Sequence, residues 1–357
     1  MENATREGKD PFLSKIQDAL FENLRASLSA KISSEETVAE IAEADVEGAV
    51  DPAILDHLSD EFLKAFLDRA PHMLCEHRVA DRGFERRNFK RWRQAFDLLE
   101  TMLSIAEELG EACDMEGREL AVANNDYRFE ALSQIFPKAI LVGRELVHLL
   151  KGGFPDAALS RWRSLHELTV TAIFLSANND MISLRYLAHF DFQARAAARQ
   201  HNKYAKRANL RPFSDTELQE FNERCKIAAE SVGEEMDGPW DWAKPVLPGN
   251  PTFFRIEEAV GMDHWRPRYK WASQHVHSGH RPNWTLLGAC EAREPLVLVG
   301  RSNGGLVDPL HMTAISIWQI SSIILLHTPK IDRVIYSRIL MTLSDRVAQE
   351  AIKCERG

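Results

Sequence analysis

The sequence predicts an all-α protein, a multi-helix bundle of long antiparallel helices with one small β-hairpin near residues 294–307. Three observations lead there. Apolar residues recur at helical spacing along most of the chain. The joints between these runs carry capping residues, prolines and glycine pairs. Only one stretch, EPLVLVGRSNGGLVDP, reads as strand, turning at Asn303-Gly304.

Taken in order, the first clear helix is DPAILDHLSDEFLKAFLDRAPHML. Ile54, Leu58, Phe62 and Phe66 share a face, and Asp51 before Pro52 supplies a cap and a first turn. NFKRWRQAFDLLETMLSIAEELG predicts a second helix that stops at Gly110. A third runs from Asp126 to Lys151, is interrupted by Pro137 and stops at Gly152-Gly153. The next starts at Pro155 and ends near Asn178-Asn179; another follows Asp180, and short joints of this kind favour antiparallel neighbours. DTELQEFNERCKIAAESVG, TFFRIEEAVGM and RPRYKWASQHVH continue the helical pattern around a Trp- and Pro-rich connection. Asp308 and Pro309 open an apolar helix, and KIDRVIYSRILMTLSDRVAQEAI closes the chain. Two domains are expected: an acidic and basic helical region over 1–120, and a helical bundle over 121–357.

Composition narrows the class. With 357 residues, 45% hydrophobic and 27% charged, the chain is of ordinary globular make-up. Five scattered cysteines, none in a C-x-x-C pair, predict neither a disulfide framework nor a structural zinc site and point to a reducing, cytoplasmic setting. MENATREGKD has no apolar signal core. The segment from Pro309 to Pro329 lacks Asp, Glu, Lys and Arg, yet Gln319, His311, His327 and several hydroxyl residues dilute it. It is expected to be the central helix of a bundle rather than a membrane span.

Charge is segregated beneath the net value of −9. Between Lys31 and Lys64 there are ten acidic residues and no Lys or Arg, whereas Arg195, Arg199, Lys203, Lys206 and Arg207 fall in a run with no acid between Asp191 and Asp215. The basic run predicts contact with a phosphate backbone, RNA or another nucleic acid. The acidic region predicts a protein partner, or pairing with the basic run within the chain or across a homodimer.

The helix from Pro155 carries the candidate chemistry. Ala158, Trp162, Leu165, Leu168, Ala172 and Leu175 form one stripe at 100° per residue; Val170, Ile173 and Phe174 extend a second. A helix apolar on two faces is sandwiched, so Arg163, His166 and Glu167 enter the interior or a cleft. Arg163 and Glu167 are one turn apart and can pair. Tyr269, Ser273 and His277 share a face of a later helix, and His277 is expected to reach the same network. His275 and His277 lie 200° apart on a helix, so no metal is expected among the histidines and no cofactor elsewhere. Gly300-Arg301-Ser302-Asn303-Gly304 matches a nucleophile elbow, but no βαβ series supplies the sheet that motif needs.

Arg161 and His166 stand at the spacing of the HEPN ribonucleases, small helical bundles, which the chain resembles at those two residues. That resemblance implies an RNA-binding or metal-independent RNA-cleaving protein of bacterial stress or phage defence. Arg163, His166, Glu167, Ser273 and His277 are then the candidate catalytic groups. LSRWRSLHEL, SLRYLAH and FFRIEEAVGMDHWRPRYKWASQHVHSG resemble the bacterial family called domain of unknown function 5677, over about residues 125–330. That family's pattern pairs Arg163 with Glu167 and sets Tyr269, Ser273 and His277 four apart; it implies a helical bundle and no established activity. The alternative is a non-enzymatic helical interaction or scaffold protein whose Arg–Glu–His network is structural.

Overall fold

The structure is a computed structural model that describes residues 52–356 apart from 278, 281 and 295. It divides into two compact units, one up to Arg86 and one from Arg87 to Gly357. Nine α-helices and four short 3-10 turns make up the regular structure of the described residues, and no strand is found among them.

Helix α1 is unbroken from Pro52 to Asn124. The stop expected at Gly110 does not occur, because this glycine serves close approach rather than termination. A Cβ at Gly110 would sit 2.1 Å from Phe136 Cε1, and one at Gly117, two turns on, 2.6 Å from the Phe129 ring. The helix ends instead at Asn125, whose φ of 52° is the left-handed conformation that asparagine tolerates. Trp92, Phe96, Leu99, Met102 and Leu103 of α1 are buried in the core of the second unit.

Helix α2, Tyr127–Lys151, is capped by Asp126, whose carboxylate accepts from the Phe129 N–H at 2.8 Å. Helix α3 spans Pro155–Ala177 with proline in its first turn. Asn179 caps α4, Asp180–Ala205. Ser214 and Glu217 form a reciprocal capping box for α5, Asp215–Val232, which closes on left-handed Gly233. Short helices α6, Phe253–Ala259, and α7, Arg266–Ser273, lie against α3. Two long helices finish the chain: α8, Val307–His327, and α9, Ile331–Arg356.

Helix α3 is sandwiched as its two apolar faces require, between α2 and α8. Trp162, wholly buried, donates its indole N–H to the Met312 carbonyl at 3.0 Å and to Ser316 Oγ at 3.1 Å on α8. Helix α8 is the one described helix long and apolar enough to cross a membrane. Its Leu310, Met312, Ile317, Ile320 and Leu325 are buried, and it packs on α2, α3 and α9, the environment of a central bundle helix.

The hairpin expected near 294–307 is absent among the described residues. No described residue after Glu294 pairs with a strand, and at Ser302 and Asn303 the backbone is taken by α1 and by the turn at Gly153. The Asn303 carbonyl accepts from Trp92 Nε1 at 2.8 Å and Arg91 Nη1 at 3.0 Å, and Ser302 N–H donates to the Gly153 carbonyl at 2.8 Å. Gly305, at φ 76°, lies so close to Leu287 that a Cβ would meet its carbonyl oxygen at 2.3 Å. These contacts anchor the serine of the elbow-like motif in a loop.

Candidate functional site

Two linked clusters occupy the face of α3 that meets α6 and α7. The inner one is built on His166, which is 1% exposed. Its Nε2 lies 2.9 Å from Glu257 Oε1, and Glu257 is fully buried. The second Glu257 oxygen accepts from Arg266 Nη1 at 2.6 Å. Phe253, Ile256 and Glu257 share one face of α6, which turns the carboxylate inward with the apolar residues. The imidazole is walled by aromatic rings, Trp162 stacked at 5.0 Å between centroids and Phe253 edge-on at 5.9 Å. A buried charge needs both a partner and hydrogen bonds, and Glu257 has them from two elements.

The outer cluster is Arg163, Glu167 and Tyr269. Arg163 Nε donates to Glu167 Oε1 at 3.0 Å and to Tyr269 Oη at 2.8 Å; Tyr269 donates to the same carboxylate oxygen at 2.5 Å. Burial, then the Glu167 carboxylate, push the Tyr269 hydroxyl far above its ordinary range, so it stays protonated as a donor. The guanidinium groups of Arg163 and Arg266 lie 4.8 and 4.9 Å from the Tyr269 ring centroid, which joins the two clusters. The Arg163 and Glu167 side chains remain 27% and 32% exposed, less buried than a sandwiched helix predicts.

The other expected site residues are not gathered here. Ser273 donates its hydroxyl to the Tyr269 carbonyl of its own helix at 2.8 Å. Helix α7 ends at Ser273, so His277 falls in the following turns, exposed, and makes no hydrogen bond to Arg163 or Glu167 among the described residues. Arg161 pairs with Glu145 on α2 whereas His166 turns to α6, so the two residues of the HEPN-like spacing face different elements. Among the described residues, the three histidines 275, 277 and 280 form no metal-ligating group. His275 Nδ1 lies 3.4 Å from Asp156, whose carboxylate also accepts from the backbone N–H groups of Leu287 and Gly288. Cys290, Glu291 and Glu355 do cluster, all exposed, but Arg91 donates to both Glu291 oxygens.

Of the basic run, Arg195 pairs with Glu235 at 2.7 Å and Arg199 reaches Asn222 at 3.2 Å, partners supplied by α5 and the chain after it. Lys203 and Arg207 each lie 5.3 Å from the ring centroid of exposed Tyr204, with Lys206 exposed beside them. The acidic stretch from Lys31 to Asp51 lies outside the described residues.

Sequence reasoning missed Glu257 and Arg266. The available signal was Glu257 on the apolar face of FFRIEEA, in phase with Phe253 and Ile256.

No curated protein and no solved structure matches the chain. All eight residues of the two clusters and their expected extensions, from Arg163 to His277, nevertheless fall within one segment that matches a known family model. Residues 129–294 match DUF5677, a family of unknown function.

Proposed function

We propose that the chain is a non-enzymatic helical interaction protein and that the paired clusters on α3 hold its fold. The observation that carries this reading is the closure of the inner cluster. His166 and Glu257 are buried against each other and ringed by aromatics, which leaves the imidazole no path to a substrate. A general base must come within hydrogen-bond reach of the proton it moves. The interaction surface is α9. At 100° per residue Ile331, Ile335 and Ile339 lie opposite buried Arg333 and Leu340, and they are 79%, 52% and 42% exposed. One self-complementary row suits an isologous homodimer. Sedimentation of the purified protein is expected to show a dimer that Ile335→Glu converts to a folded monomer. A wild-type monomer at tens of micromolar would contradict the dimer.

A second reading is favoured by Lys203, Tyr204 and Arg207: an exposed aromatic ring flanked by cations is the element that stacks unpaired bases. On this reading the protein binds RNA, as a bacterial stress or phage-defence component would, without cleaving it. Incubation with a mixed RNA pool, with and without chelator, is expected to give binding that falls steeply with salt and no cleavage. Tyr204→Ala is expected to weaken it, and binding indifferent to this change would remove the reading. Chelator-insensitive cleavage would overturn the non-enzymatic assignment.

A further inference from the structure

The part of α1 that belongs to the first unit presents an apolar row of its own. Leu63, Leu67, Ala70 and Leu74 fall within about 60° of one another at 100° per residue. Leu63, Leu67 and Leu74 are 54%, 61% and 39% exposed, whereas Phe62, Phe66 and Met73 on the adjoining face are half-buried. One exposed leucine needs no explanation, but three in a row mark a surface that a partner covers.

Charge says which partner. Asp60 and Arg78 stand about five turns apart, so both fall at the same angle beside the row, one beyond each of its ends. Neither side chain has a partner among the described residues. At 1.5 Å per residue they are about 27 Å apart, so the two cannot meet within one helix. A second copy laid antiparallel on the row brings them together. In a two-fold antiparallel pair each flank meets its own counterpart, and pairing about position 69 sets Asp60 against Arg78 of the second copy at both ends. The same register levels Leu63 with Leu74 of the second copy and Leu67 with its Ala70. Farther out it levels Asp56 with Arg82 and His57 with Asp81. A parallel pair would instead level Asp60 with Asp60 and Arg78 with Arg78, like charge against like.

We propose that this stretch of α1 is a second self-association site, on which another copy of the chain lies antiparallel with Asp60–Arg78 ion pairs closing both ends. The contact is separate from the one on α9 and does not depend on it. Three leucines per copy fall well short of the roughly 800 Å² per partner of a standard interface. The expected dissociation constant is therefore on the order of 100 µM, and at such concentrations the contact joins α9 dimers into larger assemblies.

Sedimentation equilibrium of the full-length Ile335→Glu protein isolates this contact. Between about 10 and 500 µM it is expected to pass from monomer to dimer. Leu67→Asp alters an exposed side chain, so it should preserve the circular dichroism spectrum and weaken association at least about tenfold. Asp60→Arg or Arg78→Asp alone should weaken it about tenfold, because each sets like charges together at both ends. The two combined should restore it to within about twofold, a rescue that reciprocal pairing between copies requires. Absence of association up to about 500 µM, indifference to Leu67→Asp, or a double variant as weak as the single ones would each overturn the proposal. A protein that stays monomeric and melts lower with Leu67→Asp would have its row covered within its own chain, and overturn it likewise. A wild-type monomer at tens of micromolar would sink the α9 dimer alone, since this contact is read on the Ile335→Glu protein.

Discussion

Replacing Trp162 with alanine is expected to destabilise the protein by about 3–5 kcal/mol, the range for removing a buried tryptophan. The side chain sits where α3 meets α8, 1% exposed, and three losses coincide there. Its indole contact area goes, leaving a cavity between two central helices. The Met312 carbonyl and Ser316 hydroxyl lose their donor. His166 loses the ring stacked on it at 5.0 Å. Urea unfolding of the variant checks the magnitude; a change below about 1 kcal/mol would mean that α3 is not central to the bundle.

Glu257→Ala is expected to cost about as much, about 3–5 kcal/mol, by a different route. A cavity opens where the carboxylate was, and the buried His166 and the Arg266 guanidinium are left without their shared acceptor. An unpaired polar group in such a site forfeits its full solvation. Glu167→Ala makes the contrast. Its partner Arg163 is more than a quarter exposed and keeps Tyr269 Oη, so water replaces much of what is lost. The expected cost is smaller, about 1–2 kcal/mol. The ordering of the two variants carries the point: the acid that lies far off in sequence matters more than the one a turn away.

That ordering also marks what can be read from the chain. Helices α2 to α5 are legible because their ends are written locally, in Asp126, Gly152-Gly153, Pro155 and Asn179. The Arg163–Glu167 pair is legible for the same reason, since helical spacing alone brings the two together. Gly110 misleads because glycine marks either a stop or a close approach, and only the Phe136 ring on α2 decides between them. EPLVLVG misleads because an extended apolar run becomes a strand only if another strand takes its backbone groups. Here no strand does so, and just beyond the run Gly153, Trp92 and Arg91 take the backbone groups of Ser302 and Asn303. The bond between His166 and Glu257 spans 91 residues, and nothing local to either foretells it. A helical period continued beyond Ser273 puts His277 on the Tyr269 face, but α7 ends at Ser273.

The central claim is that the clusters on α3 hold the fold rather than perform chemistry. Thermal melting of two variants side by side tests it most directly: Glu257→Ala, and His166→Phe combined with Glu257→Met. Removing one partner strands the others, whereas replacing both with apolar groups of similar volume removes the need for pairing, and Arg266, a quarter exposed, can turn to water. The account predicts a large drop in Tm for Glu257→Ala and recovery of at least half of it, as an order-of-magnitude expectation, in the double variant. A Glu257→Ala protein that melts with the wild type, or a double variant no more stable than the single one, would contradict it.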